Sequence, residues 1–413
     1  MQNLSIETLK SFNFLPVILG TDINAYSIAR TIHENYGIIS KLFGAKVLPQ
    51  TSNSKILDRT VIDTFLENDC FLEVLIDFAK KNSEKTMVLI PCSDAYSELI
   101  SFNKDILKDY YRFNIPSEEL NHKLADKVEF YKSCKEHGIP YPETIYCNSP
   151  DDLDYSKLRY PIVAKAADSI RYLQVHFEGK RKAYILDSEE ELKKALKDVY
   201  ANGYTGQMII QDFIPGDASN TMSMNLYGDK NGVVRMMCLG QILLDDPLPL
   251  MIGNNNAIYT VENMELFERY RKFLTEMKYT GYSNIDLKYD YRDNEYKALE
   301  MNLRLPASNF FMTTGGLNYI DFYFRDLLDI DFDEDVYYHT KTDKIWLNCA
   351  PSLLKKYTSK KHHAKIDELL ANGYKYSIWY EEDRNLKRFM LYMKRRLGTL
   401  KHFHDHGKKP TDA

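Results

Sequence analysis

The sequence predicts a mixed fold, α/β in its first third and α+β beyond. Three observations predict it. Short apolar strands alternate with helical stretches up to about residue 118. Strands separated by turns then follow one another through the middle of the chain, in the manner of antiparallel pairing. A two-stranded hairpin at 281–304 carries its carboxylates on one face. The 413 residues call for two or three domains, because single hydrophobic cores stop growing beyond roughly 250–300 residues. An apolar fraction of 44% with 13% aromatics excludes a disordered chain.

Taken in order, residues 14–19 (FLPVIL) form an apolar strand closed by Gly20, and residues 24–35 take helical spacing through Tyr26, Ile28, Ala29 and Ile32. A helix at 71–81 leads into the strand at 86–92 (TMVLIPC), and another helix begins near Asp94. This reads as a Rossmann-like domain over 1–118, yet it lacks a GxGxxG after its first strand, so no dinucleotide site is assigned. Residues 122–137 read as one amphipathic helix closed by Gly138, with Pro140 and Pro142 forcing an extended exit. A strand ends at Lys165, and a helix at 187–202 starts on a capping-box-like Asp187, Ser188 and Glu191. Strands are expected at 207–214, 221–228 and 233–239, with a turn at 229–232. The stretch 351–375 is polar and less regular.

The hairpin carries the chemistry. On its first strand Ile285, Leu287 and Tyr289 point one way; Asn284, Asp286, Lys288 and Asp290 point the other. On its second, Leu299, Met301 and Leu303 are apolar, while Ala298, Glu300, Asn302 and Arg304 share the opposite face. With the turn centred near residue 293, Asp286 falls opposite Glu300 and Asn302 lies next along that face. Opposed carboxylates repel unless a cation sits between them. Two carboxylates, an amide oxygen and nearby Lys and Arg suit Mg²⁺, which takes one or two carboxylates and completes its shell with water and phosphate. A solvated polar hairpin face is the bland alternative, weakened by the apolar LPASNFF that follows Arg304.

These segments resemble the ATP-grasp superfamily of carboxylate–amine ligases. The helix leading into GIPYPET, the strand ending in Lys165, the QDFI segment and the Asp286…Glu300-x-Asn302-x-Arg304 hairpin stand in that superfamily's order. More narrowly, FEGKRKAYIL (177–186), MIIQDFIPGD (208–217), VRMMCLG (234–240) and YEEDRNLKR (380–388) are similar to bacterial D-aspartate ligases, with the likeness running from about residue 14 to 400.

The resemblance implies an ATP-grasp fold behind an N-terminal Rossmann-like domain at 1–118. First and second grasp lobes would follow at 119–210 and 211–345, with a C-terminal extension at 346–413. It implies ATP and Mg²⁺ as cofactors, with Asp286, Glu300 and Asn302 as metal ligands. Lys127 and Lys165 would contact the phosphates, and Ser169 would sit on the loop above them with Arg171, Lys180, Arg181 and Lys182. Gln211, Asp212 and Ile214 would form the hinge at adenine, and Asp217 would reach the ribose unless it simply forms a turn. Arg304, with Lys165 and Lys288, would serve the phosphoryl transfer. The partners implied are an amino-acid donor, D-aspartate or a relative, and an amine acceptor. The acceptor would be the lysine side chain of a UDP-linked or lipid-linked peptidoglycan precursor. A homodimer is the superfamily's expectation.

Two positions depart from the D-aspartate ligase pattern, which leads one to expect arginines near Met222 and Ala307. Their absence removes carboxylate or phosphate clamps. Either the donor is less anionic than aspartate, or other cations fill in, or the protein is a nucleotide-binding relative with little turnover.

The remaining expectations come from composition. A net charge of -5 gives no reason to expect nucleic acid. The six scattered cysteines read as buried thiols in a reducing cytoplasm. No signal peptide and no run of about 18 apolar residues is apparent. The tail at 384–401 is a basic amphipathic helix with two readings: docking on the domain, or contact with an anionic membrane surface, which would place the protein at the inner membrane face. His402, His404 and His406 resemble a metal-binding tract, against a solvated tail end.

Overall fold

Four parallel strands form the first sheet, in the order Leu57–Val61, Ser40–Gly44, Phe14–Leu19 and Thr86–Pro91. The computed structural model describes residues 4–248, 251 and 253–410, apart from the side chains of residues 10, 169 and 170. The expected strands at 14–19 and 86–92 and the helices Ile23–Tyr36, Asn68–Lys81 and Asp94–Phe102 are present. The strands at 40–44 and 57–61 escape the sequence pattern because they carry charge. Lys41 is nevertheless buried, its ammonium held by Asp58 at 3.0 Å and Thr60 at 2.9 Å.

Two further sheets follow. The smaller is antiparallel, in the order Thr144–Cys147, Met208–Asp212, Ile162–Ala166, Ala183–Leu186. The larger has eight strands and runs from Glu295–Asn302 through Gly281–Asp290, Thr221–Gly228, Val234–Asp245, Asn255–Val261 and Ile345–Leu347 to Tyr374–Tyr376, with Tyr337–Tyr338 off that path. By sheet membership, the small sheet extends through Asp212, and the strands Ile345–Leu347 and Tyr374–Tyr376 belong to the large one. The stretch 351–375 is more regular than its composition suggests, since it contains the helices Ser352–Tyr357 and His363–Ala371.

The helix expected over 122–137 is two helices, Glu118–Ala125 and Lys127–Glu136. The break is at Asp126, whose backbone is extended and whose carboxylate accepts from the N–H groups of Val128 at 2.8 Å and Glu129 at 3.0 Å. A short acidic side chain favours this N-cap over a helix interior. The break puts Lys127 in the first turn of the second helix.

The C-terminal helix, Leu386–His406, docks on the rest of the protein. Arg388 is 2% exposed and pairs with buried Asp383 at 3.3 Å. The same carboxylate accepts from Tyr26 at 2.8 Å, Ser54 at 2.9 Å and the backbone N–H of Lys55 at 2.6 Å, all in the first domain. Arg388 also donates to the Gln50 carbonyl at 2.6 Å and lies 4.1 Å from the centre of the Tyr26 ring. This cluster fastens the chain's end to its beginning. Arg388→Met is expected to lower unfolding free energy by about 3–5 kcal/mol, because it strands a buried carboxylate. Urea denaturation checks this, and adding Asp383→Asn should restore part of the loss.

A buried tyrosine joins the first domain to the second lobe: the Tyr323 hydroxyl donates to the Leu89 carbonyl at 2.7 Å, while within that lobe Tyr282 donates to the Tyr319 carbonyl at 2.9 Å. No helix among the described residues is long and apolar enough to cross a membrane. All six cysteines are free thiols, five of them buried.

Candidate active site

The hairpin brings its two carboxylates together in the expected register: Asp286 pairs with Glu300, and Asn284 with Asn302. The register then shifts by one, so that Leu287 pairs with Ala298 and Leu299 is left as a bulge. The sequence pattern put Leu299 on the core face and Ala298 on the polar face. The structure reverses both: Ala298 is fully buried and Leu299 only partly. Regular alternation cannot survive an extra residue in one strand. The bulge presents the Leu299 carbonyl to Tyr131, whose hydroxyl donates to it at 2.5 Å, with the Lys165 ammonium 3.5 Å away.

Cations surround the pair. Lys127 lies 3.5 Å from Glu300. Lys165, next to last in the Ile162–Ala166 strand, donates to the Tyr131 hydroxyl at 3.1 Å. Of the cations on the 169–182 segment, Lys182 reaches the site, whereas Lys180 is spent on the carbonyls of Tyr172 at 2.8 Å and Val175 at 2.6 Å. Arg171 pairs with Asp168 at 3.2 Å. Ser169 opens a short helix, and its side chain lies outside those described.

The carboxyl groups respond oppositely. Burial raises the Asp286 pKa, and the neighbouring Glu300 charge adds to the effect. Burial would raise Glu300 as well, but Lys127, Lys182, Lys165 and Arg304 outweigh it and hold that carboxyl below its usual range. Burial lowers the Lys165 ammonium to about 8, a shift the Glu300 charge opposes and the Lys182 charge reinforces. Two carboxylates and the Asn302 amide thus converge where one carboxyl is hard to ionise without a further cation. No group of three or more His, Cys, Asp or Glu that could by itself hold a metal ion occurs among the described residues. The donor set therefore suits a divalent cation that keeps most of its shell for water and phosphate, which is the habit of Mg²⁺.

Arg304 faces the first domain, where both ends of its guanidinium meet Asp94, at 3.1 Å and 3.2 Å. Asp94 begins the helix that follows the Thr86–Pro91 strand, and Asp22 caps the helix that follows Phe14–Leu19. Both acids stand at the carboxyl ends of parallel strands, the usual ligand edge of such a sheet. Sequence reasoning missed them, because an acid at the start of a helix, as cap or in the first turn, carries no local mark of a site.

The expected hinge residues are more dispersed. The Gln211 side chain is 3% exposed and donates to Thr144 at 2.9 Å. Its strand lies between two others, so the backbone open to a ligand begins after Asp212. The Asp212 carboxylate pairs with Arg292 at 2.5 Å. Ile214 is buried. Asp217 takes the turn-forming alternative, accepting from the Ser219 N–H at 2.9 Å. Lys288 stands beside this hinge rather than beside the carboxylate pair, with its ammonium 3.5 Å from the Gly216 carbonyl and 5.4 Å from the Phe213 ring centre.

A cavity of about 750 Å³ lies between the hairpin and the first domain, and none of the expected hinge residues lines it. One wall is the hairpin, with Asp286, Glu300, Asn302 and Arg304; another is the first domain, with Asp22, Ser93 and Asp94. The C-terminal helix closes a third side, which the sequence did not foretell. Met222 is buried in the core, paired with Leu287, so a longer cation at that position would not enter the cavity. Ala307 does line the cavity. His402 lies on the cavity wall, whereas His404 is exposed and bonded to Asp405 at 2.9 Å, so the three tail histidines do not converge.

No family model matches the chain. Over 402 residues, 94% of this chain and 95% of the relative, it is 37% identical to the D-aspartate ligase of Enterococcus faecium (strain Aus0004). Among solved structures, the ADP complex of N5-carboxyaminoimidazole ribonucleotide synthetase is similar with a TM-score of 0.59 at 12% identity, over 95% of this chain and 98% of that one. The β-γ-ATP complex of biotin carboxylase from Campylobacter jejuni gives a TM-score of 0.59 at 15% identity, over 79% of this chain and 73% of that one.

Proposed function

The chain belongs to the D-aspartate ligase family and has the ATP-grasp fold behind a Rossmann-like domain, and from that premise we propose that it joins D-aspartate, or a closely related amino acid, to the lysine side chain of a peptidoglycan precursor. The reaction class is an ATP-dependent ligation of a carboxylate to an amine. The cofactors are ATP and Mg²⁺. In this reading the donor carboxylate takes the γ-phosphoryl group of ATP, giving an acyl phosphate and ADP. The acceptor amine then displaces phosphate and forms the amide.

The observation that carries the reading is the opposed Asp286 and Glu300 pair on the cavity wall with Lys182 and Arg304, with Lys127 against Glu300 and Lys165 acting on it from behind that wall. Asp286, Glu300 and Asn302 would hold Mg²⁺, which would supply positive charge against the ATP phosphates. Lys127, Lys165 and Lys182 would orient the phosphates as compact point charges. Arg304, fixed by Asp94, would steady the equatorial oxygens of the phosphoryl group in flight. The backbone after Asp212 would meet the adenine edge. The enclosing walls would keep water from the acyl phosphate.

The test is ADP release from the purified protein with D-aspartate and a UDP-linked peptide carrying lysine, with the product identified by mass spectrometry. The expected product is that peptide extended by one aspartyl residue. Absence of amine-dependent ADP release across a panel of amino acids would sink the ligase reading.

A further inference from the structure

The wall formed by the C-terminal helix has features that the phosphate chemistry does not use. Leu391, Lys394, Arg395, Gly398, Thr399 and His402 line the cavity and recur at the spacing of one helix face. The Arg395 guanidinium is half-buried, and its only hydrogen bond among the described residues is a long one to the Asn348 side-chain oxygen, at 3.3 Å. No ion pair reaches it among the described residues. The acid whose charge acts on it is Asp246, also on the cavity wall. Among the described residues the Asp246 carboxylate accepts only a local bond, from the Leu248 N–H at 3.1 Å. Two opposite charges thus share a cavity without meeting.

The same region holds unmet hydrogen-bonding capacity. Gln50 Oε1 and His402 Nδ1 are buried without a partner, and both residues line the cavity. Buried polar atoms of this kind normally find partners, so a site that leaves several unpaired is shaped for a ligand. Gly398 adds room. It sits inside the helix, where glycine is less favourable than alanine. A Cβ there would have nothing within 4 Å.

We propose that Arg395 and Asp246 form the amino-acid subsite, in which the Arg395 guanidinium takes a carboxylate of the zwitterionic donor and Asp246 takes its ammonium group. A guanidinium held ready in a half-buried wall suits bidentate carboxylate recognition. Arg395 thereby supplies the cation that Ala307 does not, from a helix at the far end of the chain. The subsite rests on the ligase reading for the identity of its occupant, and its test separates the two.

The probe is D-aspartate, bound at equilibrium to protein loaded with Mg·ADP and followed by calorimetry, with steady-state ADP release measured in parallel. Arg395→Gln is expected to weaken D-aspartate binding roughly 10- to 100-fold, the value of a lost charged hydrogen-bonding pair. It should raise the donor KM similarly and leave nucleotide affinity and acceptor KM in place. Arg395→Lys should recover part of the loss, and Asp246→Asn should weaken donor binding on its own. Donor binding unchanged in Arg395→Gln, a rise in acceptor KM alone, or no D-aspartate binding by the wild-type protein overturns the subsite. Intact D-aspartate binding without amine-dependent ADP release upholds the subsite and sinks the ligase reading instead.

Discussion

Asp286→Asn and Glu300→Gln are each expected to lower amine-dependent ADP release on the order of 10³-fold, the scale at which metal and electrostatic stabilisation of a developing charge operates. The two carboxylates face each other across adjacent strands, and neither amide can replace an anionic oxygen toward a divalent cation. The two variants should differ in a second respect. Glu300 is the counter-charge for Lys127 and also acts on Lys165, so its neutralisation frees those ammonium groups as well as removing a ligand. Asp286 is the carboxyl that burial and Glu300 already push toward protonation. Asp286→Asn therefore relieves repulsion, and its fold should be at least as stable as the wild type. Thermal melts without metal, beside ADP release with Mg²⁺ titrated, check both statements. Equal turnover in either variant would remove the pair from the metal site.

Lys165→Met is expected to lower kcat/KM for ATP roughly 10²- to 10³-fold, since it deletes a charged donor from the transferring phosphoryl group. The wild-type protein should also show a pH signature. Burial holds the Lys165 ammonium down to about 8. At pH 8.5 most of the free protein then carries this lysine neutral, and an arriving polyphosphate favours the charged form. Binding of Mg·ATP should therefore take up a proton at pH 8.5, and the uptake should fade as pH falls below about 7, where the lysine is already charged. Calorimetry in two buffers of different ionisation enthalpy reads this directly, and Lys165→Met should abolish it. Binding with no proton uptake at pH 8.5 in the wild type would contradict the assignment.

How much of this was legible depends on how local each signal is. Strand alternation, written in neighbouring residues, puts Asp286 and Glu300 each on the polar face of its strand, but their direct pairing also needs the bulge at Leu299. The strands of the first sheet at 14–19 and 86–92 announce themselves as uncharged runs, whereas Ser40–Gly44 and Leu57–Val61 hide behind Lys41, Asp58 and Arg59. The break at Asp126 was missed because its flanks keep helical spacing; only the competition of one carboxylate for two N–H groups decides it. The arginine expected near Met222 belongs to a position on the core face, which emerges only once Leu287 is known to be its partner. The walls of the cavity were the least legible. Asp22, Asp94 and Arg395 are ordinary in their own segments and acquire meaning only when distant stretches meet, as Asp94 and Arg304 do from 210 residues apart.

The extra residue at Leu299 has a consequence for how this protein tolerates change in length. Glu300 faces Asp286 only because Leu299 drops out of the pairing. Losing one residue there would restore regular alternation between the turn and the site and send either the acid or its apolar neighbours to the wrong side of the sheet. The turn between Asp290 and Glu295 is under no such constraint, since its residues are exposed and pair with nothing in the ladder. Insertions and deletions in this hairpin should thus be survivable at its tip and ruinous at its bulge, although the two places are only a few residues apart.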